Sequence, residues 1–224
     1  MTRFRDRREA GRFLASKLEH CARRPDVRVL ALPRGGVPVG YEVARMLGAP
    51  LDVFVVRKLC APGQEELAMG AVASGGMRVL NDDVVRELRI SNEDIASATR
   101  SELHELERRE RMYRSGRRPL PVEGRTVILV DDGLATGSTM RAAVEALNLE
   151  GPARLIVAVP VAAASTCAMF EPLVDEVVCG ITPDPFYAVG LWFEDFSQTT
   201  DEEVRELLAR STAETFEESP WQGA

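Results

Sequence analysis

Two adjacent carboxylates, Asp131 and Asp132, stand just ahead of the run Ala135-Thr136-Gly137-Ser138-Thr139. The run offers three hydroxyls and a glycine that lets the backbone close on an anion. If a helix opens there, its unpaired N–H groups and the positive end of its dipole favour a phosphate. The carboxylates cannot hold that phosphate, because like charges repel. They suit sugar hydroxyls, which donate hydrogen bonds to carboxylates, or a divalent cation. A phosphate cup beside a diol clamp matches a ribose 5-phosphate.

The flanking residues supply the elements that would position this chemistry. Thr126 to Val130 is an unbroken apolar or β-branched run, the pattern of a buried parallel strand. Ser138 to Val144 reads as a helix, with Ser138 and Thr139 at the N-cap. The stretch is not a Walker loop, since Gly-x-x-x-x-Gly-Lys is absent, and Gly-x-Gly-x-x-Gly does not occur here. A second strand–loop–helix unit lies upstream. It has a strand over 27–32, the loop Pro33-Arg34-Gly35-Gly36, and a helix over 37–47 ended by Gly48. One guanidinium beside two glycines suits an oxyanion. Residues 51–56 form the next strand. It ends in Arg57 and Lys58, two cations where ligands collect in open α/β sheets.

Val130-Asp131-Asp132-Gly133-Leu134-Ala135-Thr136-Gly137-Ser138-Thr139 resembles the phosphoribosyl pyrophosphate (PRPP) signature of type I phosphoribosyltransferases, in the form seen in adenine phosphoribosyltransferases. PRPP synthetases and a few regulators on the same fold share that signature. The resemblance implies an enzyme that joins a small nitrogenous base to the ribose of PRPP, releases pyrophosphate and yields a nucleoside monophosphate, as in nucleotide salvage. Mg2+ would be the cofactor and a homodimer the assembly. Asp131 and Asp132 would clamp the ribose, and Ala135 to Thr139 would hold the 5-phosphate. Arg34, Gly35 and Gly36 would hold pyrophosphate, with a non-proline cis peptide at or next to Arg34. Arg57 and Lys58 would complete that grip. Where six-oxopurine enzymes carry an Asp base, this chain has Ala135, which disfavours a six-oxopurine acceptor. The alternative is a PRPP-binding regulator without turnover. A PRPP synthetase fits poorly, because that family has two such domains in a longer chain.

Segment 183–200 contains five of the thirteen aromatics within eleven residues. It is similar to the hood of hypoxanthine-guanine phosphoribosyltransferase. Carried across, Phe186 or Tyr187 would stack on the base, Trp192 would line the hood, and Glu194 would sit near the metal, with Asp131 a second metal contact, directly or through water. This chain has one extra residue between the Phe and the Gly of that pattern.

The repeated strand–helix alternation predicts an α/β fold with a doubly wound, mostly parallel sheet. The switch in strand order should lie near Asp131. Residues 59–67 read as a loop, followed by a hairpin of 68–73 and 77–80 around Ser74-Gly75-Gly76. Residues 81–118 read as a helical insertion: a short helix from Asn81-Asp82-Asp83, then a long one capped by Ser91 with Asp94. The seven Arg and four Glu between Arg100 and Arg118 read as a solvated face of i,i+4 pairs. An RNA-contacting face is the sharper reading, but interleaved aromatics are lacking. A helix over 5–23 opens the chain. Another, from Asp201 to Arg210, closes a single domain, 1–210, and leaves 211–224 as a frayed acidic tail.

The chain has 224 residues and a formal net charge of −7, which argues against a general nucleic-acid or membrane binder. No apolar run has the length of a membrane span, and the first residues lack a secretory h-region. A cytoplasmic protein is expected, with Cys21, Cys60, Cys167 and Cys179 reduced. His20 and His104 read as surface residues.

Overall fold

The computed structural model describes residues 3–217. Helix α1 (Arg7–Ser16) is capped by Asp6, whose Oδ1 accepts from Glu9 N at 2.8 Å. It stops short of the expected residue 23 and gives way to a 3-10 turn, Glu19–Cys21. Strand β1 (Val27–Ala31), helix α2 (Gly36–Leu47) and strand β2 (Leu51–Val53) follow. Gly48 ends α2 in the left-handed conformation that glycine adopts at no steric cost.

Residues 54–80 depart from expectation. The predicted strand over 51–56 is broken, because the chain leaves the first sheet after Val53. Buried Phe54 and Val55 carry it across, with Phe54 N bonded to Ala31 O and Val55 N to Ser74 Oγ. Strands β3 (Val56–Ala61), β4 (Gln64–Ala73) and β5 (Met77–Leu80) then form a separate antiparallel sheet. The expected loop at 59–67 is therefore mostly strand, turned at Pro62 and Gly63. The expected hairpin at 68–80 is present as β4 and β5.

Helix α3 (Asp82–Glu87) is capped by Asn81, and α4 (Asn92–Arg114) by Ser91, whose Oγ accepts from Asp94 N. Ile95, Leu106 and Tyr113 bury one stripe of α4 against the core. On the other face its arginines pair with its own glutamates, Glu105 with Arg108 and Arg109, Glu107 with Arg111. Arg114 is the exception. It is buried against Asp52 of β2, with Glu110 completing the cluster.

Strand β6 (Thr126–Val130) is fully buried. Helix α5 (Ser138–Leu149), strand β7 (Arg154–Val161), helix α6 (Ala164–Ala168) and strand β8 (Glu176–Ile181) complete the winding. The large sheet has the order β2-β1-β6-β7-β8, with every neighbouring pair parallel. Side chains alternate along β6. Ile128 and Val130 face one core layer, which includes α1, α2 and α4, and Val127 and Leu129 face the other, which includes α5 and α6.

Helix α7 (Asp201–Glu217) runs seven residues past the predicted end. Ser211 is buried, Arg117 bonds Thr212, and Tyr41 Oη donates to Glu214 at 2.7 Å. These contacts hold residues 211–214 on the body, while 218–224 lie outside the described residues. Cys167 and Cys179 are not free thiols but a disulfide, Cα–Cα 6.6 Å, linking α6 to β8. Cys21 and Cys60 are free. Among the described residues no helix is long and apolar enough to cross a membrane.

Candidate active site

The site is built by one register. Ala31 of β1 pairs with Val130 of β6, so the two strands end side by side, and Leu32 N bonds Val130 O at 2.9 Å. Here the winding reverses: β1 leads through α2 to β2 on one side, and β6 through α5 to β7 on the other. Crevices at such switch points take ligands in open α/β sheets. The helices leaving both strands, α2 and α5, start here.

Loop 33–36 leaves β1 through a cis peptide between Pro33 and Arg34, as the resemblance implied. Gly35 and Gly36 follow with almost no clearance. A Cβ on Gly36 would meet Val130 O at 2.8 Å and Asp131 Oδ1 at 3.1 Å. Arg34 is partly exposed and lies 4.0 Å from Asp201 at the start of α7, which also accepts from Tyr113 Oη at 2.7 Å.

The carboxylate pair lies against this loop. Asp132 N donates to Asp131 Oδ1 at 2.8 Å. Burial pushes the Asp131 carboxyl well above the usual carboxylate range, and the neighbouring Asp132 charge adds to the rise. Burial also raises Asp132, against the opposing hydrogen bond and charge of Arg7. Arg7 Nε reaches Asp132 Oδ2 at 2.8 Å from the first residue of α1. Sequence reading missed Arg7. It is one of four arginines among residues 3–8, and nothing in that spacing marks it.

Beyond the carboxylates, Gly137 rather than Ser138 or Thr139 is the N-cap of α5. Its φ is 74°, and no side chain caps the helix. Ser138 and Thr139 are the first two helical residues, which frees their hydroxyls from the capping role expected of them. Ala135, Thr136, Ser138 and Thr139 are exposed, and Thr136 Oγ1 lies 3.1 Å from Ser138 Oγ. The turn is braced from behind. Thr166 Oγ1 donates to Ala135 O at 3.1 Å, and a Cβ on Gly137 would meet the Phe170 ring at 2.9 Å. These supports escape a sequence scan because they lie some thirty residues downstream.

Arg57 and Lys58 do not stand at the carboxyl end of a core strand. They are adjacent residues of β3, so their side chains take opposite faces. Arg57 pairs with Glu102 of α4 at 2.7 Å. Lys58 lines a cavity of about 520 Å³ with Ser138, Thr139 and Arg141. The structure thus brings Lys58 to the flank of the 135–139 turn and holds Arg57 on α4.

The hood segment packs beside the central turn, where a Cβ on Gly133 would meet Val189 Cγ1 at 2.5 Å. Phe186 and Trp192 pack on the Phe4–Phe193 cluster, whereas Tyr187 is 77% exposed. Glu194 is exposed, its backbone tied to Phe4 O. Among the described residues no cluster of three or more His, Cys, Asp or Glu side chains forms a metal cage. Asp131 and Asp132 fit a cation shared with a ligand's phosphates, which is how Mg2+ is commonly held.

A parallel sheet with two helix N-termini, a glycine loop and paired carboxylates at its switch point is an α/β arrangement suited to a sugar phosphate. The comparisons narrow the class. The model of the phosphoribosyl transferase domain matches residues 5–179, and the chain belongs to that family. It is 47% identical over 211 residues to "Putative phosphoribosyl transferase Rv0571c" of Mycobacterium tuberculosis H37Rv, covering 94% of this chain and 47% of that one. The chain thus spans about half the length of this curated relative. The crystal structure of TT1426 from Thermus thermophilus is 42% identical, with a TM-score of 0.82, covering 93% of this chain and 99% of that chain. A hypothetical protein from Neisseria gonorrhoeae, crystallised with ppGpp, shares the fold at 14% identity and a TM-score of 0.50, covering 94% of this chain and 98% of that chain.

Proposed function

We propose that the chain transfers the 5-phosphoribosyl group of PRPP to a nitrogen of a small base and releases pyrophosphate. The observation that carries this reading is the Ala31–Val130 register, which sets a glycine loop for one anion and a hydroxyl-rich helix start for another on either side of two carboxylates. The 5-phosphate sits on the amides and hydroxyls of 136–139, with Ala135 forming the wall of the turn. The ribose hydroxyls donate to Asp131 and Asp132. Pyrophosphate takes the amide of Gly35 and the guanidinium of Arg34, and the bare Gly36 leaves room for its close approach.

In the reaction the C1–O bond to pyrophosphate breaks and its electron pair leaves with the oxygen, while a nitrogen lone pair forms the new C1–N bond. The carboxylates favour the positive charge that develops on the ribose. Asp131 and Asp132 would hold Mg2+, which would supply neutralising charge for the leaving group. Ala135 supplies no base, so the acceptor's proton passes to solvent. Tyr187, the exposed ring of the hood, offers the stacking face.

The test is pyrophosphate release from PRPP with Mg2+ across a panel of purines, pyrimidines and simple amines. Release that depends on one acceptor supports the transferase. PRPP binding with no release for any acceptor favours a sensor on the same fold.

A further inference from the structure

Arg7 makes three contacts that no other described residue combines. Its Nε donates to Asp132 Oδ2 at 2.8 Å, its Nη1 donates to Ser197 O at 2.6 Å, and its guanidinium stacks 4.0 Å from the centre of the Phe196 ring. Only 11% of the Arg7 side chain and 15% of the Asp132 side chain are exposed. Charged hydrogen bonds of this kind are short and strong, and they fix direction as well as charge. The guanidinium fork spends one edge on the carboxylate and another on the hood, with its flat face on an aromatic ring. A lysine cannot make all three contacts.

The backbone around Arg7 follows the same course. Phe4 bridges Phe193 as a parallel partner, Glu194 N donates to Phe4 O, and Asp195 N donates to Arg5 O. The segment before α1 is thus an added strand of the hood, and Arg7 is the side chain by which it reaches the carboxylate pair. Gly35 packs on the same oxygen, where a Cβ would sit 2.1 Å from Oδ2 and 3.4 Å from Arg7 Nε. Asp132 Oδ2 is therefore held where loop 33–36 and the first turn of α1 meet.

We infer that Arg7 is a positioning residue of the PRPP site: it aims the Asp132 carboxylate at the ribose hydroxyls and couples that aim to the position of the hood. The inference rests on the proposed function for its ribose, but the Arg7–Asp132 contact itself does not. Coupling has a direct consequence. Movement of the 195–199 segment over an acceptor pulls on the group that holds the sugar, so hood closure and ribose orientation occur together. The charged groups around the pair are Asp131 on the same turn, and Asp6, Arg8, Asp195 and Glu203 lining the small cavity behind Arg7.

Two measurements on the full chain test this, one without ligand. Crystals of the free Arg7→Gln chain should show the Asp132 carboxylate turned from its wild-type direction, and Arg7→Lys should return it towards that direction. An unchanged carboxylate in Arg7→Gln overturns the inference whether or not PRPP binds. With PRPP and Mg2+ as the probe, calorimetry should give about a tenfold or larger loss of affinity in Arg7→Gln. Phe196→Leu keeps the ion pair and removes the stacking, and should cost a few-fold in affinity with the Asp132 carboxylate unmoved. Equal affinities in wild type and both variants overturn the coupling. If the wild type does not bind PRPP while the carboxylate turns as stated, the proposed function fails and takes the ribose role with it, leaving the Arg7–Asp132 contact as a separate fact.

Discussion

A Cβ on Gly35 would lie 2.1 Å from Asp132 Oδ2, closer than any side chain can approach. Loop 33–36 and the Asp132 carboxylate therefore occupy one tightly packed unit. The backbone of Gly35 is ordinary, with φ −59°, so alanine is excluded by space and not by conformation. Gly35→Ala must displace Asp132, break its bond to Arg7, or both. PRPP affinity should fall by more than about tenfold, roughly 1.4 kcal/mol, with an unchanged circular dichroism spectrum. Calorimetry checks it, and wild-type affinity in the variant would show that Asp132 is not held by this contact.

The buried carboxylates should cost stability. The Asp131 pKa is raised in the folded protein by burial and by the adjacent Asp132 charge. Between the ordinary carboxylate value and the raised one, the native state binds more protons than the unfolded chain, so stability falls as pH rises through that window. The full cost is present once the pH lies above that window. Asp131→Asn should then unfold at a higher temperature, by about 2–4 °C for each kcal/mol recovered, while PRPP binding is lost. A lower melting temperature at a pH above that window would contradict the sign.

Arg114 and Asp52 form a pair in which each side chain is 8% exposed. Arg114→Ala leaves a buried, uncompensated carboxylate and should destabilise by about 3–5 kcal/mol in urea unfolding. Arg111→Ala, whose partner Glu107 is as exposed as itself, should cost about 0.5 kcal/mol or less. Similar losses from both would mean that α4 is not anchored through Arg114.

The Cys167–Cys179 disulfide closes a loop of sequence separation 12. Reduction should lower stability by about 3 kcal/mol on the chain-entropy model. Cys167→Ser should match the reduced wild type and show no further response to reductant. An identical melting curve with and without reductant would refute it.

The site's centre was legible because its signals are local. Thr126–Val130, the acid pair and the 135–139 run lie within fourteen residues, and each type has its own physical reason to be there. Loop 33–36 was readable for the same cause. What escaped depends on distant chain. Val53 to Val56 is one continuous apolar run, so nothing in its period marks the step from parallel to antiparallel sheet, and Arg57 and Lys58 were placed accordingly on the wrong strand end. Arg7 meets Asp132 across 125 positions, and Cys167 meets Cys179 only because α6 lies against β8. The end of α7 was missed because its anchors, Tyr41 and Arg117, belong to other elements.

The central claim is that the crevice between β1 and β6 holds a ribose with phosphates at both ends. Crystals grown with PRPP and Mg2+ address it most directly. The account predicts the 5-phosphate on the 136–139 turn, the ribose hydroxyls on Asp131 and Asp132, and the pyrophosphate against Gly35 and Gly36. PRPP bound elsewhere, or this crevice unchanged at saturating PRPP, would contradict it.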